Sequence, residues 1–260
     1  MIRNLKIFWL YSTFSAKTAF QHRVGVISFL SGKMIRFLFS LLFIFFLVSK
    51  TKLFVGYSLN QTLIFFLTFN FIDSAAQLLF REVYRFRPLV ITGELDGVLL
   101  KPFHPFLRVL VGGVDVLDAI TLIPFFALLI YFILRIPSLT IQNILLYGGF
   151  LINGICLAAA FHIIILSIGV LTTKVDNITL IYRDFTKMLS LPIDMYKEPL
   201  RSFLMFGIPV GIMIALPSKL LFGLLTPNVF ITSIIISAVF ILFSLYFWNT
   251  ALTKYQSVGS

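Results

Sequence analysis

Long apolar runs alternate with short loops along the whole chain, and the runs are long enough to cross a membrane. They lie at 34–49, 57–80, 107–134, 142–172, 203–219 and 229–250. About 20 mostly apolar residues span the hydrocarbon core of a bilayer. The pattern therefore predicts an all-α fold: a polytopic membrane protein of six transmembrane helices, forming one domain over residues 1–260. The loops between the runs are too small to fold separately.

The segment 2–20 is less polar than a loop and too broken for a span. As a helix it puts Ile2, Leu5, Trp9 and Ala16 on one face and Arg3, Lys6 and Lys17 on another, although Ile7, Leu10 and Phe14 spoil the pattern. This predicts an interfacial helix within the N-terminal segment 1–23. Charges at Arg3, Lys6, Lys17 and Arg23 interrupt the stretch, so it does not read as a cleavable signal peptide.

Composition agrees with the pattern. Hydrophobic residues make up 59% of the chain and charged residues 12%, against about 25% in a soluble domain. Charge adds an orientation. With the N-terminus placed inside, seventeen of the 21 Lys and Arg residues fall in the N-terminal segment, the loops after spans two and four, and the C-terminal tail. Lys50, Lys52, Arg135 and Lys219 are the four on the other side. By the positive-inside rule, both termini are expected in the cytoplasm. The loops 81–106 and 173–202 are expected to be the two large cytoplasmic loops. The net charge of +11 is thus explained by topology, and nucleic acid is not an expected partner.

The search for chemistry finds little. Gly25 to Gly32-Lys33 has the wrong spacing for a phosphate loop, with Met34 where Ser or Thr would bind magnesium. His22, His104 and His162 are far apart, and Cys156 is the single cysteine. No catalytic, metal or cofactor site is expected. Three carboxylates lie in or near the spans: Asp73, Asp115 and Asp118. An intramembrane acid is costly and invites a functional reading, here an ion path. The simpler reading puts Asp115 and Asp118 in the first turns of span three, paired with Arg108 or a neighbouring helix. Asp73, followed by Ser74, Ala75 and Ala76, is expected to face another helix. Pro209, Pro217, Gly223 and Pro227 break the region 203–228, so a re-entrant segment there is an alternative to a plain loop.

The loop 81–106 is the most distinctive water-side segment. Pro88, Pro102 and Pro105 forbid one long helix. Gly93 and Gly97 bracket a tight turn or short helix, and Leu95, Val98, Leu99 and Leu100 sit among charges. Apolar residues in a water-side loop need a cover, either the membrane surface or a partner protein.

Three stretches carry a resemblance. They are Ile91-x-Gly93-x-Leu95-Asp96-x-x-Leu99-Leu100-Lys101-Pro102; Leu191-Pro192-x-x-x-Tyr196-x-x-x-Leu200-Arg201 with Gly207-Ile208-Pro209 and Pro217; and Ala251-Leu252-x-x-Tyr255-x-Ser257-x-Gly259. In order and spacing the chain resembles the ABC-2-type transporter permeases, in a six-span bacterial branch. The family usually has Arg where Lys101 stands. The resemblance implies a permease subunit of an ATP-driven exporter. It would pair with a second permease, identical or related, and dock a separate ATP-binding subunit that holds the ATP. Gly93, Leu95, Asp96, Leu99, Leu100, Lys101 and Pro102 would form the coupling element. An alternative from another class is an ion-coupled secondary transporter using the intramembrane carboxylates.

Overall fold

A computed structural model describes residues 2–51, 53–137 and 139–256. Lys52, Ser257 and Gly259, which entered the sequence reading, lie outside the described residues. The described chain is helical apart from turns and one isolated bridge between Phe54 and Tyr57. In chain order the helices are α1 (Ile2–Gln21), α2 (Arg23–Thr51), α3 (Leu59–Phe80), α4 (Phe86–Ile91), α5 (Glu94–Leu99), α6 (Phe106–Val109), α7 (Val116–Ile133), α8 (Ile141–Thr172), α9 (Val175–Met188), α10 (Leu200–Ser202), α11 (Val210–Leu221) and α12 (Pro227–Thr253). A 3-10 turn, Arg81–Arg85, joins α3 to α4, and a π turn, Phe203–Gly207, follows α10.

The bundle has two ends. At one, here end A, Asn60 at the start of α3 donates to Phe132 O at the end of α7, 3.2 Å away. There too Asn143 of α8 donates to Leu221 O of α11 at 3.3 Å. At the other, end B, Asp115 N donates to Leu78 O across the α3–α7 join at 3.2 Å. α3 and α8 form the centre. Most of α3 is buried, whereas α2 fully buries only Phe37, Ile44 and Val48 and turns most of its other apolar residues outward. An exposed apolar surface of that extent suits lipid, which solvates it as well as protein does.

Start and stop signals explain the spans. Ser58 caps α3 in a capping box with Gln61, Asp115 caps α7, and Thr140 caps α8. Each satisfies backbone N–H groups that a helix start leaves unpaired. Asp115 also explains why the third span begins at Val116 and not at 107. Residues 106–114 instead form α6 and a loop, with Gly112 at φ +56° against Glu82.

α1 is the helix expected across the N-terminal segment, and it lies at end B. Val114 N donates to Ser12 Oγ at 3.2 Å, and Tyr11 stacks under the Arg108 guanidinium at 5.6 Å. The face turned to the bundle carries Phe8, Ser12 and Ala16, while Leu5, Trp9 and Phe14 are exposed. Leu5 and Trp9 thus share the outward face, as an interfacial helix requires, but Ala16 does not join them.

The second half departs most from the sequence expectation. Residues 173–202 are not an open loop. α9 doubles back along α8, with Val175 against Gly169 and Tyr182 against His162. The segment 189–199 then carries the chain to end A, where Asp194 meets Tyr57 and Lys219. The expected fifth span at 203–219 is also absent as a continuous helix. Residues Leu200–Gly207 and Val210–Leu221 meet at 95°, because Pro209 lacks an N–H and cannot continue the helix. At about 1.5 Å per residue the twelve residues of α11 reach about 18 Å, short of the roughly 30 Å hydrocarbon core. The chain is at end A at Asp194 and at end A again by Lys219, so 200–221 is a re-entrant excursion. It lies just before the breaks at Gly223 and Pro227.

α11 packs so closely on α8 that a Cβ added at Gly154 would sit 2.6 Å from Met213 O. Backbone cannot retreat as a side chain can. Gly154→Ala is therefore expected to destabilise the protein by about 1–3 kcal/mol. Thermal unfolding in detergent reads this as a lowered Tm, whereas Gly148→Ala, with nothing within 4 Å, leaves Tm close to the parent value.

Candidate functional site

Two regions stand out, a loop assembly at end B and a cleft inside the bundle. The loop assembly begins where α3 ends. α4 and α5 are joined at Gly93, whose φ of 74° is open to glycine at little cost. α5 has only six residues, and its apolar positions divide between two directions. Leu95 is fully buried and Val98 nearly so, both within this chain's own core, while Leu99 is half-buried. Leu100 is 86% exposed, and Lys101 and Pro102 follow it outward. The sequence grouped Leu95 with Leu100; the structure separates them. Leu95 anchors the element, and Leu100 with Lys101 and Pro102 forms its tip.

The tip is braced from both termini. Arg3 of α1 donates to Pro102 O. The Phe106 ring packs on Trp248 of α12, 5.2 Å between centroids. Beyond α12, burial and then the Asp96 carboxylate beside it push the Tyr255 phenol above its ordinary pKa. Asp96 and Tyr255, which belong to separate stretches of the sequence reading, thus meet. At the base, Glu82 receives Arg108 and Arg85, and Arg87 pairs with Asp176 of α9 at 2.9 Å in the open.

The three intramembrane acids separate in role. Asp118 is fully buried between Lys33 Nζ at 2.6 Å and Arg81 at 3.2 Å. Asp115 accepts from the N–H groups of Leu117 and Asp118 and lies 3.5 Å from Arg81. Of the two partners expected, Arg108 or a neighbouring helix, it is the neighbouring helices that supply them, and Arg108 goes to Glu82. Asp73 differs. Its carboxylate accepts from Gln77 at 2.6 Å, and it lines a cavity rather than a tight helix contact.

That cavity, about 530 Å³, lies between α2, α3, α7 and α9. Lys33, Arg36, Arg183 and Lys187 line its end-B part, and phenylalanines including Phe37 and Phe66 line the rest. None of those four cations was singled out from the sequence. A signal was present in α9, whose charges at 183 and 187 are four apart and so share a helix face.

At end A the Asp194 carboxylate receives Lys219 at 2.8 Å, Arg201 at 2.7 Å and the Tyr57 hydroxyl at 2.8 Å. Deeper in, Tyr147, Thr68 and Ser218 share hydroxyl hydrogen bonds of 2.9 and 3.1 Å across α8, α3 and α11. Among the described residues no group of His, Cys, Asp and Glu is placed to hold a metal ion.

The buried pair sets a measurable asymmetry. Asp118→Ala strands Lys33 and Arg81, and breaking a buried pair costs about 3–5 kcal/mol. Asp73→Asn removes one acceptor on a cavity wall, for a cost of about 0.5–1.5 kcal/mol. Denaturation followed by circular dichroism should rank them in that order. Equal losses would mean that Asp118 is not the buried anchor described here.

No curated protein and no solved structure matches the chain. A family model described as ABC-2 family transporter protein matches residues 34–259, from α2 through α12 and the segment after it. On that extent of match the chain belongs to the ABC-2 family of transporter proteins.

Proposed function

We propose that the chain is the permease subunit of an ATP-driven exporter, working with a separate ATP-binding subunit and a second permease. The observation that carries this is the split of α5. A short helix held from within by Leu95 and Val98, with Leu100, Lys101 and Pro102 projecting from end B, has the form of a lever seated in another protein. An exposed leucine on a braced tip offers about 1.5–3 kcal/mol if a partner buries it fully. The brace makes the offer useful, because a rigid tip passes a push to α3 and α7 without losing it in loop motion. ATP would bring two ATP-binding subunits together, and their approach would reach the spans through this tip.

End B is the cytoplasmic end in this reading. The fifth crossing moves from 203–219 to α9 with 189–199, so the basic residues are redistributed. Among the described residues thirteen lie toward end B and five toward end A, and Arg183 and Lys187 lie on the cavity. The bias keeps its sign, and both termini stay in the cytoplasm of a bacterial cell. The ion-coupled alternative has less to work with: Asp115 and Asp118 are committed to a cap and ion pairs, which leaves Asp73.

Two measurements test this. In a chain with Cys156 replaced, a cysteine at Leu224 should react with an impermeant maleimide added to intact cells, and one at Glu94 only after the membrane is opened; the reverse pattern would overturn the orientation. For coupling, Leu100→Ala with Lys101→Ala should leave folding intact and weaken copurification of the ATP-binding subunit by roughly tenfold, the effect of losing about 1.4 kcal/mol. Leu95→Ala should act first on stability, by about 2–5 kcal/mol. A tip variant that retains its ATP-binding subunit and its transport rate removes this loop from the coupling role.

A further inference from the structure

The cavity carries an ordered gradient that nothing in the ATP-coupling reading requires. Three elements running in alternating directions agree on it. α2 rises from end B to end A and presents Lys33 and Arg36 first, then Phe37, Ser40 and Ile44. α3 descends and presents Phe66 and Phe69 first, then Asn70, Asp73 and Gln77. α9 rises and presents Arg183 and Lys187, then Ser190 and Leu191. The charged part is at the end-B side on all three, and the apolar part runs toward end A. Lys33 to Ile44 is eleven residues of helix, about 16 Å.

The charges do not cancel within the site. Lys33 is held by Asp118 at 2.6 Å, and Lys187 reaches Asp184 at 3.8 Å. Asp73 is the one acid on the lining, within electrostatic reach of Arg183. Among the described residues neither Arg36 nor Arg183 forms an ion pair. Two guanidiniums beside an apolar channel leave a positive surplus at its end-B mouth, and guanidinium forks suit phosphate or carboxylate oxygens. The volume lies in the usual range for ligand pockets, about 300–1,000 Å³. Phe39 and Phe43 on the lining are exposed, so the apolar part opens sideways toward lipid.

We infer that this cleft binds an anionic amphiphile, with a phosphate or carboxylate headgroup between Arg36 and Arg183 and an apolar chain along Phe37, Phe66 and Ile44. Taken with the permease reading, it names the class of cargo that enters from the end-B leaflet. The headgroup would arrive at the level of that leaflet's own headgroups, and the chain would never leave an apolar surround.

The test uses the full chain in phosphatidylcholine nanodiscs, with no ATP-binding subunit present. The probe is dodecyl phosphate, with retention read by native mass spectrometry after titration. Dodecanol supplies the tail without the charge, and inorganic phosphate the charge without the tail. The wild-type chain should retain dodecyl phosphate and neither control. Arg36→Gln with Arg183→Gln should weaken retention by at least about tenfold, as loss of charge-assisted hydrogen bonds does. Ser40→Trp, which places an indole in the apolar arm, should do the same. Arg36→Lys with Arg183→Lys keeps the charge and should keep most of the binding, which guards against a fold lost with the guanidiniums. Equal retention of dodecanol would show an apolar cleft without headgroup recognition. Equal retention of inorganic phosphate would show a free-anion site, and unchanged binding by the glutamine pair would place the ligand elsewhere; each of the three overturns the inference. Copurification of an ATP-binding subunit is scored separately, so loss of either result leaves the other standing.

Discussion

One buried acid sets the geometry of end B. Asp118 has no water to share its charge, so it must be paired, and its partners come from two other helices: Lys33 of α2 and Arg81 at the end of α3. An unpaired carboxylate at that depth would cost several kcal/mol. The pair therefore fixes α2 and α7 against α3 at one height. That height is also where the chain leaves the bundle to form α4, α5 and α6. The same Lys33 lines the cleft. Loop and cleft are thus referred to a single charged knot, and a shift of Arg81 at the root of the loop would be felt by Lys33.

Much of this was legible in the sequence. The apolar runs gave α3, α8 and α12 nearly as they stand, and α2 and α7 with their starts displaced, because a membrane span is decided by length and hydropathy and little else. Asp115 and Asp118 were readable as acids in the first turns of a helix, where negative charge is favoured, but the capping role of Asp115 was not. The partner of the acids was not: Arg108 is nearer in sequence, but Glu82 holds it, and only the fold brings Lys33 to Asp118.

The stretch 173–221 was only partly legible, for a physical reason: its prolines offered a re-entrant segment, but 203–219 was read as a span and 173–202 as a loop. Its charge density resembles that of a water-side loop, and the continuous apolar run after it resembles a span. In the fold, α9 turns Arg183 and Lys187 to a cavity, while Pro209 splits the apolar run into two pieces bent by 95°. Hydropathy counts how much polarity a segment carries and is blind to where that polarity points. The loop 81–106 shows the same limit on a smaller scale. Leu95 and Leu100 are equally apolar as letters, yet one is core and the other is 86% exposed.

The clasp at Asp194 has a mechanical consequence. It joins the turn before α3, the segment after α9 and the far end of α11 through Tyr57, Arg201 and Lys219. A re-entrant hairpin pinned at both its departure and its return has few independent motions left. It cannot slide along the bundle or unwind from its outer end. What remains is flexure at Ile208–Pro209, where the backbone ladder is already interrupted. α11 itself is held at Lys219 and, through Met213, against Gly154 of α8, so the break is a local interruption in a clamped segment rather than a pivot for α11.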